Sequence, residues 1–468
     1  MEETVNKVLI DYTNFLTNKV TTFKKNSNIC AIISYVFELN EIGVFDKSIT
    51  YLDNNNTSFY FQNNLEEYRF CAYNSILSIN ENGKERYAKI EKRLKSNFPF
   101  VSSNLENYTD ENFPLFVGSM KFTVEHSDDV WKNFNDSDWF IPEFVVYEKE
   151  SKVRLIYNCY YDSTFSSTVN QKKLRSYLNK LIETVAPSEC KLPQIRVING
   201  NSPKEKKKWT QDINYIKELI SDNEIDKLVL SRKIEIVLSE KPTSFQIIKN
   251  LIEKQKNSFL FLYKNGSEAF FGASPELLFT IKNKTLFTEA LAGTAPISDN
   301  IEENKNLESI LLSSEKEINE HKTVVEHIES VLNNFCSEVV LSNDVGVKKF
   351  NTIQHIWTPI TGKLQSNYSI FQIVDKLFPT PAVCGAPKES ALTYIKKIEE
   401  HKRGLYSGIV GWFNLNYNCE FSVAIRSGVI SDKKLYAFAG CGIVEASKPE
   451  TEFAETNLKF NTLLSLFK

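Results

Sequence analysis

One stretch constrains this chain more than any other: Gly440 to Thr456, Gly-Cys-Gly-Ile-Val-Glu-Ala-Ser-Lys-Pro-Glu-Thr-Glu-Phe-Ala-Glu-Thr. Leu435 to Ala439 leads into it as a strand, so strand, glycine pair and acidic helix must follow in close succession. Two glycines framing one residue let the backbone lie close against a neighbour or a ligand. Ser447 reads as a helix N-cap and Pro449 as an early helical residue. Glu450, Glu452 and Glu455 fall in the first turns, where the helix dipole favours negative charge. Two readings stand side by side. One is an acidic helix start after a tight turn. The other is a carboxylate pair beside backbone amides, a place to hold a divalent cation with an anionic ligand.

Composition narrows the class. At 468 residues, 42% hydrophobic and 25% charged, the chain reads as a soluble globular protein with room for two or three domains. A net charge of −3 gives no bulk attraction for nucleic acid or acidic membrane. No apolar run approaches a membrane span, and the acidic, polar N-terminus is unlike a secretory signal. The 8 cysteines are scattered without a CxxC pair. Neither zinc nor a disulfide framework is suggested, and a reducing cytoplasm is expected.

The first half is strand-rich. Residues 1–24 form an amphipathic helix with Val5, Val8, Leu9, Tyr12 and Leu16 on one stripe. Strands are expected over 31–37, 58–62, 68–73, 113–122 (with a glycine bend) and 153–161, and a helix over 170–186. The aromatics of Trp131 to Tyr147 read as sheet core. Ser202 to Lys208, Ser-Pro-Lys-Glu-Lys-Lys-Lys, is a polar break and the expected boundary between residues 1–205 and 206–468. Its lysines read as solvated surface.

Beyond the break, chemistry-bearing residues fall at regular positions. Lys227 starts an alternating strand, 227–238. Glu276 follows a Ser-Pro turn. Thr288 to Pro296 is a strand ending in a glycine turn. Helix 314–332 carries Glu317, Glu320, Val324, Ile328 and Val331 on its inner stripe, so Glu320 lies in line with apolar residues. A carboxylate there needs a cation or several donors. His355 lies in an extended segment. Arg403 to Trp412 reads as a glycine-laced strand, and Phe421 to Ile430 as an alternating strand in which Arg426 is suited to a bidentate carboxylate grip. Taken singly, each has a structural reading: surface lysine, capping carboxylate, ion pair.

Taken together, the motifs resemble the chorismate-utilising enzymes. They are Lys-Leu-Val-Leu-Ser-Arg (227–232), Phe-Gly-Ala-Ser-Pro-Glu (271–276), Glu-Ala-Leu-Ala-Gly-Thr (289–294) and Glu-His-Lys-Thr-Val-Val (320–325). Pro-Thr-Pro-Ala-Val-Cys-Gly-Ala-Pro (379–387), Gly-Leu-Tyr-Ser-Gly (404–408), Val-Ala-Ile-Arg (423–426) and the 440–456 stretch complete the set. The resemblance runs from about Pro114 onward and is strongest after Trp209. It implies an α+β fold of two large antiparallel-rich sheets packed face to face with helices outside, its two halves interwoven around a cleft.

The resemblance also implies roles. Mg²⁺ is held by Glu320 and Glu455, with Glu452 near, and clamps the ring carboxylate of chorismate. Gly440 and Gly442 bring backbone amides to that carboxylate. Arg426 and Tyr406 take the substrate's other oxygens, His355 lies near the ring, and Ala292, Gly293 and Thr294 line the substrate site. Lys227 is the general base and Glu276 the general acid. A lysine must be neutral to take a proton from water, so it should be desolvated or near other cations. Glu276 must be protonated to donate, so it should be shielded from cations and water.

Two positions point to a branch. Ammonia-using members have glutamine where Lys227 stands. Aminodeoxychorismate synthases have a nucleophilic lysine where Ala292 stands. The resemblance is therefore closest to isochorismate synthases of the menaquinone and siderophore type. Salicylate synthase is the alternative, with anthranilate synthase component I and a catalytically inactive binding module behind it. No glutamine amidotransferase subunit is expected, and a monomer is. Cys441, Phe378 and Ser119 depart from the family pattern, and the first two are expected to touch the pocket.

Overall fold

The computed structural model describes residues 2–24, 30–39, 43–96, 98–105, 116–124, 130–187, 190–298, 300–342, 345–349 and 353–468. Residues 113–115 of the expected 113–122 strand lie outside these; the strand runs Phe116–Met120.

Two antiparallel-rich layers carry the fold. The first runs from Ala31–Leu39 through Lys152–Tyr161, Ser137–Lys149, Tyr68–Glu81, Thr57–Asn63, Phe259–Asn265, Glu268–Ser274, Ser427–Ser431 and Lys434–Ile443 to Lys227–Leu238. The second runs from Phe116–Met120 through Ile409–Phe413, Cys419–Val423, Leu277–Lys282 and Thr285–Pro296 to Ile353–Leu364. Strand Ser137–Lys149 joins them. Its first part pairs with Phe116–Met120 and its last part with Lys152–Tyr161.

Strand alternation sends neighbouring residues into different cores. Tyr60, Leu260, Leu262 and Phe271 share a core with helix residues Tyr12, Leu16, Leu174, Leu178 and Ile248. Phe59, Phe61, Phe261 and Phe270 belong to the other core, together with the second layer. There the Trp139 ring lies 5.2 Å from Phe413 and 5.4 Å from Phe421. The Tyr68 hydroxyl donates to Glu420 Oε1 at 2.6 Å and accepts from the Trp412 indole at 2.7 Å. Layers face to face with helices outside are thus what the chain forms.

Four local expectations change. The polar break at 202–208 is the start of helix Pro203–Ser221, closed by a capping box between Ser202 and Glu205 with proline in the first turn; the serine, proline and glutamate are a start signal, not a linker. Strands from both sides of residue 205 share the first layer. Arg403 to Trp412 is strand only over Ile409–Phe413, preceded by a turn. The expected 421–430 strand breaks at Arg426, whose φ is +51°, between Cys419–Val423 and Ser427–Ser431. Helix Pro449–Leu464 has Lys448 at its N-cap; Ser447 instead uses its hydroxyl to accept from the Val444 amide at 3.2 Å.

Candidate active site

The site is assembled where the two layers and two helices meet. Strand Lys434–Ile443 pairs with Lys227–Leu238 so that Gly440 faces Ser231 and Gly442 faces Val229. Both glycines are strand residues, not a turn. A Cβ on Gly442 would lie 2.6 Å from Lys227 Cε, so the missing side chain is the space in which the lysine stem lies. Gly293 has φ +73°, and a Cβ there would come within 3.2 Å of the Glu317 carbonyl oxygen. That close approach seats helix Glu315–Leu332 on the strand, and the Thr294 amide donates to Glu317 Oε2 at 2.9 Å.

These elements enclose a cavity of about 580 Å³. Every residue to which the resemblance gave a catalytic, metal or substrate role lines it. Lys227, Gly440 and Gly442 come from the paired strands, and Ala292, Gly293, Thr294 and His355 from the second layer. Glu276, Tyr406 and Arg426 come from turns, and Glu320, Glu452 and Glu455 from the two helices.

The charges fall into linked groups. Lys227 Nζ donates to Glu320 Oε1 at 2.6 Å. Lys227 was expected to be desolvated or near other cations; its nearest charged partner is instead this carboxylate. Lys459 Nζ bonds Glu455 Oε1 at 2.6 Å and the Gly440 carbonyl at 2.8 Å. Burial drives Glu455 up, but Lys459, Arg426 and His355 outweigh it and hold the carboxyl below its usual range. Burial and the Glu455 charge push Glu452 up, against a hydrogen bond from Ser447. Desolvation pushes Glu276 up to about 7, with the Thr380 hydroxyl, at 3.3 Å from its Oε1, opposing. Loss of solvent pulls His355 down to about 4. Its Nδ1 lies 3.1 Å from the Gly293 carbonyl and 3.0 Å from the Thr294 hydroxyl; the carbonyl can only accept, so Nδ1 carries the proton. Burial raises Tyr406 to about 12, with Arg403 opposing.

Lys459, Lys448, Thr451 and Glu317 also line the cavity and were not singled out as site residues. Lys459 had a readable signal, its i+4 spacing from Glu455; Glu317 stood on the inner stripe but was given no role. The two departures expected to touch the pocket do not line it. Cys441 is buried on the opposite face of its strand from the two glycines, its thiol 3.8 Å from the Glu452 carbonyl. Phe378 packs edge-on against Phe122, ring centres 6.4 Å apart.

No preformed metal cluster is present among the described residues. The donors nonetheless suit a hard divalent cation. Glu317, Glu320, Glu452 and Glu455 offer only oxygen, the ligand type Mg²⁺ takes. Glu452 is raised chiefly by burial and in lesser part by the Glu455 charge, and a cation between the two would offset the second effect.

Comparison with known proteins agrees with this architecture. A family model described as "Chorismate binding enzyme" matches residues 16–468. Isochorismate synthase MenF of Bacillus subtilis is 30% identical over 84% of this chain and 83% of its own length. The salicylate biosynthesis isochorismate synthase of Pseudomonas aeruginosa is 28% identical over 85% of this chain and 82% of its own. The solved structure of MenF, the menaquinone-specific isochorismate synthase of Escherichia coli, shares the fold with a TM-score of 0.78, at 23% identity, covering 94% of this chain and 95% of that one. On the match along nearly its whole length, the chain belongs to the chorismate binding enzyme family.

Proposed function

We propose that this protein is an isochorismate synthase, adding water to chorismate at C2 as hydroxide leaves C4. One observation carries the reading. A single cavity holds Lys227, where ammonia-using relatives have glutamine, and a carboxyl, Glu276, desolvated to about 7. Base and acid of the required kinds therefore face the same ligand space.

Lys227 first gives up one ammonium proton, for which the bonded Glu320 carboxylate is the adjacent acceptor, and then as the neutral amine takes a proton from the attacking water. Glu276, still protonated near neutral pH, gives its proton to the C4 oxygen, so the leaving group departs as water. Arg426 and Tyr406 hold the pyruvyl carboxylate. His355, neutral at that pH, lines the site without competing for the substrate's anionic groups. Glu320 and Glu455, with Glu452 beside them, would hold Mg²⁺, which when bound draws electron density from the ring through its carboxylate. Because water is the nucleophile, the reading needs no glutamine amidotransferase subunit, and it is of a cytoplasmic monomer acting on a small molecule.

Incubation with chorismate and Mg²⁺, followed by chromatography, tests this. Isochorismate should accumulate. Salicylate with pyruvate would make the protein a salicylate synthase, anthranilate with ammonia would overturn the assignment of water, and no turnover would leave a binding module. Lys227→Gln should abolish water addition while calorimetry still detects chorismate binding.

A further inference from the structure

Glu276 borders two cavities. One is the substrate cavity; the other is smaller, about 30 Å³, with room for about two water molecules. Besides Glu276, the smaller cavity's ionisable lining is Glu289 and His327. Glu289 is tightly held. Lys348 Nζ lies 2.6 Å from each of its carboxylate oxygens, and the Trp357 indole donates to Oε2 at 2.7 Å. Its side chain is 3% exposed. Three adjacent strands create the arrangement, Thr285–Pro296 and Gly346–Lys349 both pairing with Ile353–Leu364. Of this ion pair Glu289 borders the small cavity together with Glu276, and Lys348 does not.

We propose that Glu289 is a positioning residue for proton donation: its negative charge, held by Lys348 and Trp357 at the border of the small cavity it shares with Glu276, keeps the proton on Glu276 until the C4 oxygen takes it. The proposal rests on Glu276 being the general acid. A like charge in a poorly solvated setting favours the neutral form of its neighbour. The surroundings agree. Glu276 is raised chiefly by desolvation and then by Glu289, against the Thr380 hydroxyl, Arg426 and Lys227. His327 is held toward its neutral form by desolvation and by Lys388, so it supplies no cancelling charge at neutral pH.

The test is the pH dependence of kcat/KM in the full-length protein with saturating Mg²⁺. In Glu289→Gln the basic limb should move down by about one pH unit, a roughly tenfold loss at pH 8 with activity at pH 6 within about twofold of wild type. Glu289→Asp, which keeps the charge, should restore the limb. Thr380→Val, which removes a bond to the ionised acid, should move it up. A limb unmoved in Glu289→Gln, or an equal loss at every pH, overturns the proposal. If Glu289→Gln does not fold, Lys348→Gln carries the test with opposite sign: removing the counter-charge should move the limb up, and an unmoved limb overturns the proposal. Glu276→Gln separates the two ideas, because wild-type turnover in that variant would sink the general-acid reading itself.

Discussion

At the scale of single residues, Gly442 and Glu276 make the sharpest demands. Gly442→Ala places a methyl group 2.6 Å from Lys227 Cε, so the lysine must swing aside. We expect kcat to fall at least about tenfold with the melting temperature little changed, because a misplaced reacting group costs rate rather than fold. Wild-type kcat/KM should decline above about pH 7. The folded carboxyl is raised to about 7, only its protonated form donates, and each further pH unit removes about nine-tenths of it. Glu276→Gln should lower kcat by roughly 10² to 10⁴, measured at pH 6.5. Glu320→Ala should weaken the response to Mg²⁺ in a titration of initial rates; an unchanged response would remove Glu320 from the metal site. The motifs made these residues legible in sequence. They did not show that Lys227 is bonded to Glu320 or that Cys441 turns away from the ligand, because those facts depend on strand register and facing.

Elements explain why some local readings changed. Arg426 was read as a strand residue because 421–430 alternates, yet a left-handed residue bends it there; no periodicity reports a single positive φ. Arg232 ties the first layer to the acidic helix. Its guanidinium lies 3.6 Å from the Phe453 ring centre and bonds the Thr456 hydroxyl at 2.6 Å. Arg232→Leu should therefore loosen the helix that carries Glu452 and Glu455, raising the Mg²⁺ concentration for half-maximal rate several-fold. Between the layers, burial raises Glu420 to about 7, while hydrogen bonds from Tyr68 and Asn63 oppose. A carboxyl raised on folding binds its proton more tightly in the native state. Its share of stability is present below the unfolded value near 4.5 and is lost as pH rises to about 7, about 3 kcal/mol in all. Glu420→Gln should flatten that part of the slope, read from urea midpoints between pH 4.5 and 8.

For the whole molecule, the fold class and its face-to-face layers followed from the resemblance, whereas residues 202–208, read as a polar break, start a helix, and strands on both sides of them share one layer. The physical reason is pairing across distance. Thr57–Asn63 lies between Tyr68–Glu81 and Phe259–Asn265, so the first half lacks a strand that only the second supplies. A fragment of residues 1–205 should aggregate on expression, and a soluble, cooperatively melting fragment would show that the halves fold alone. That pairing also sets a timetable for synthesis. Once residue 63 leaves the ribosome, its strand keeps an open edge until residue 259 has emerged as well, about 10 to 40 s later at usual elongation rates. An open edge is a template for joining another chain. Soluble yield in a cell should therefore depend on what shields a half-made sheet during that wait, and should respond to slowed initiation or a holdase chaperone more than to any change at the active site.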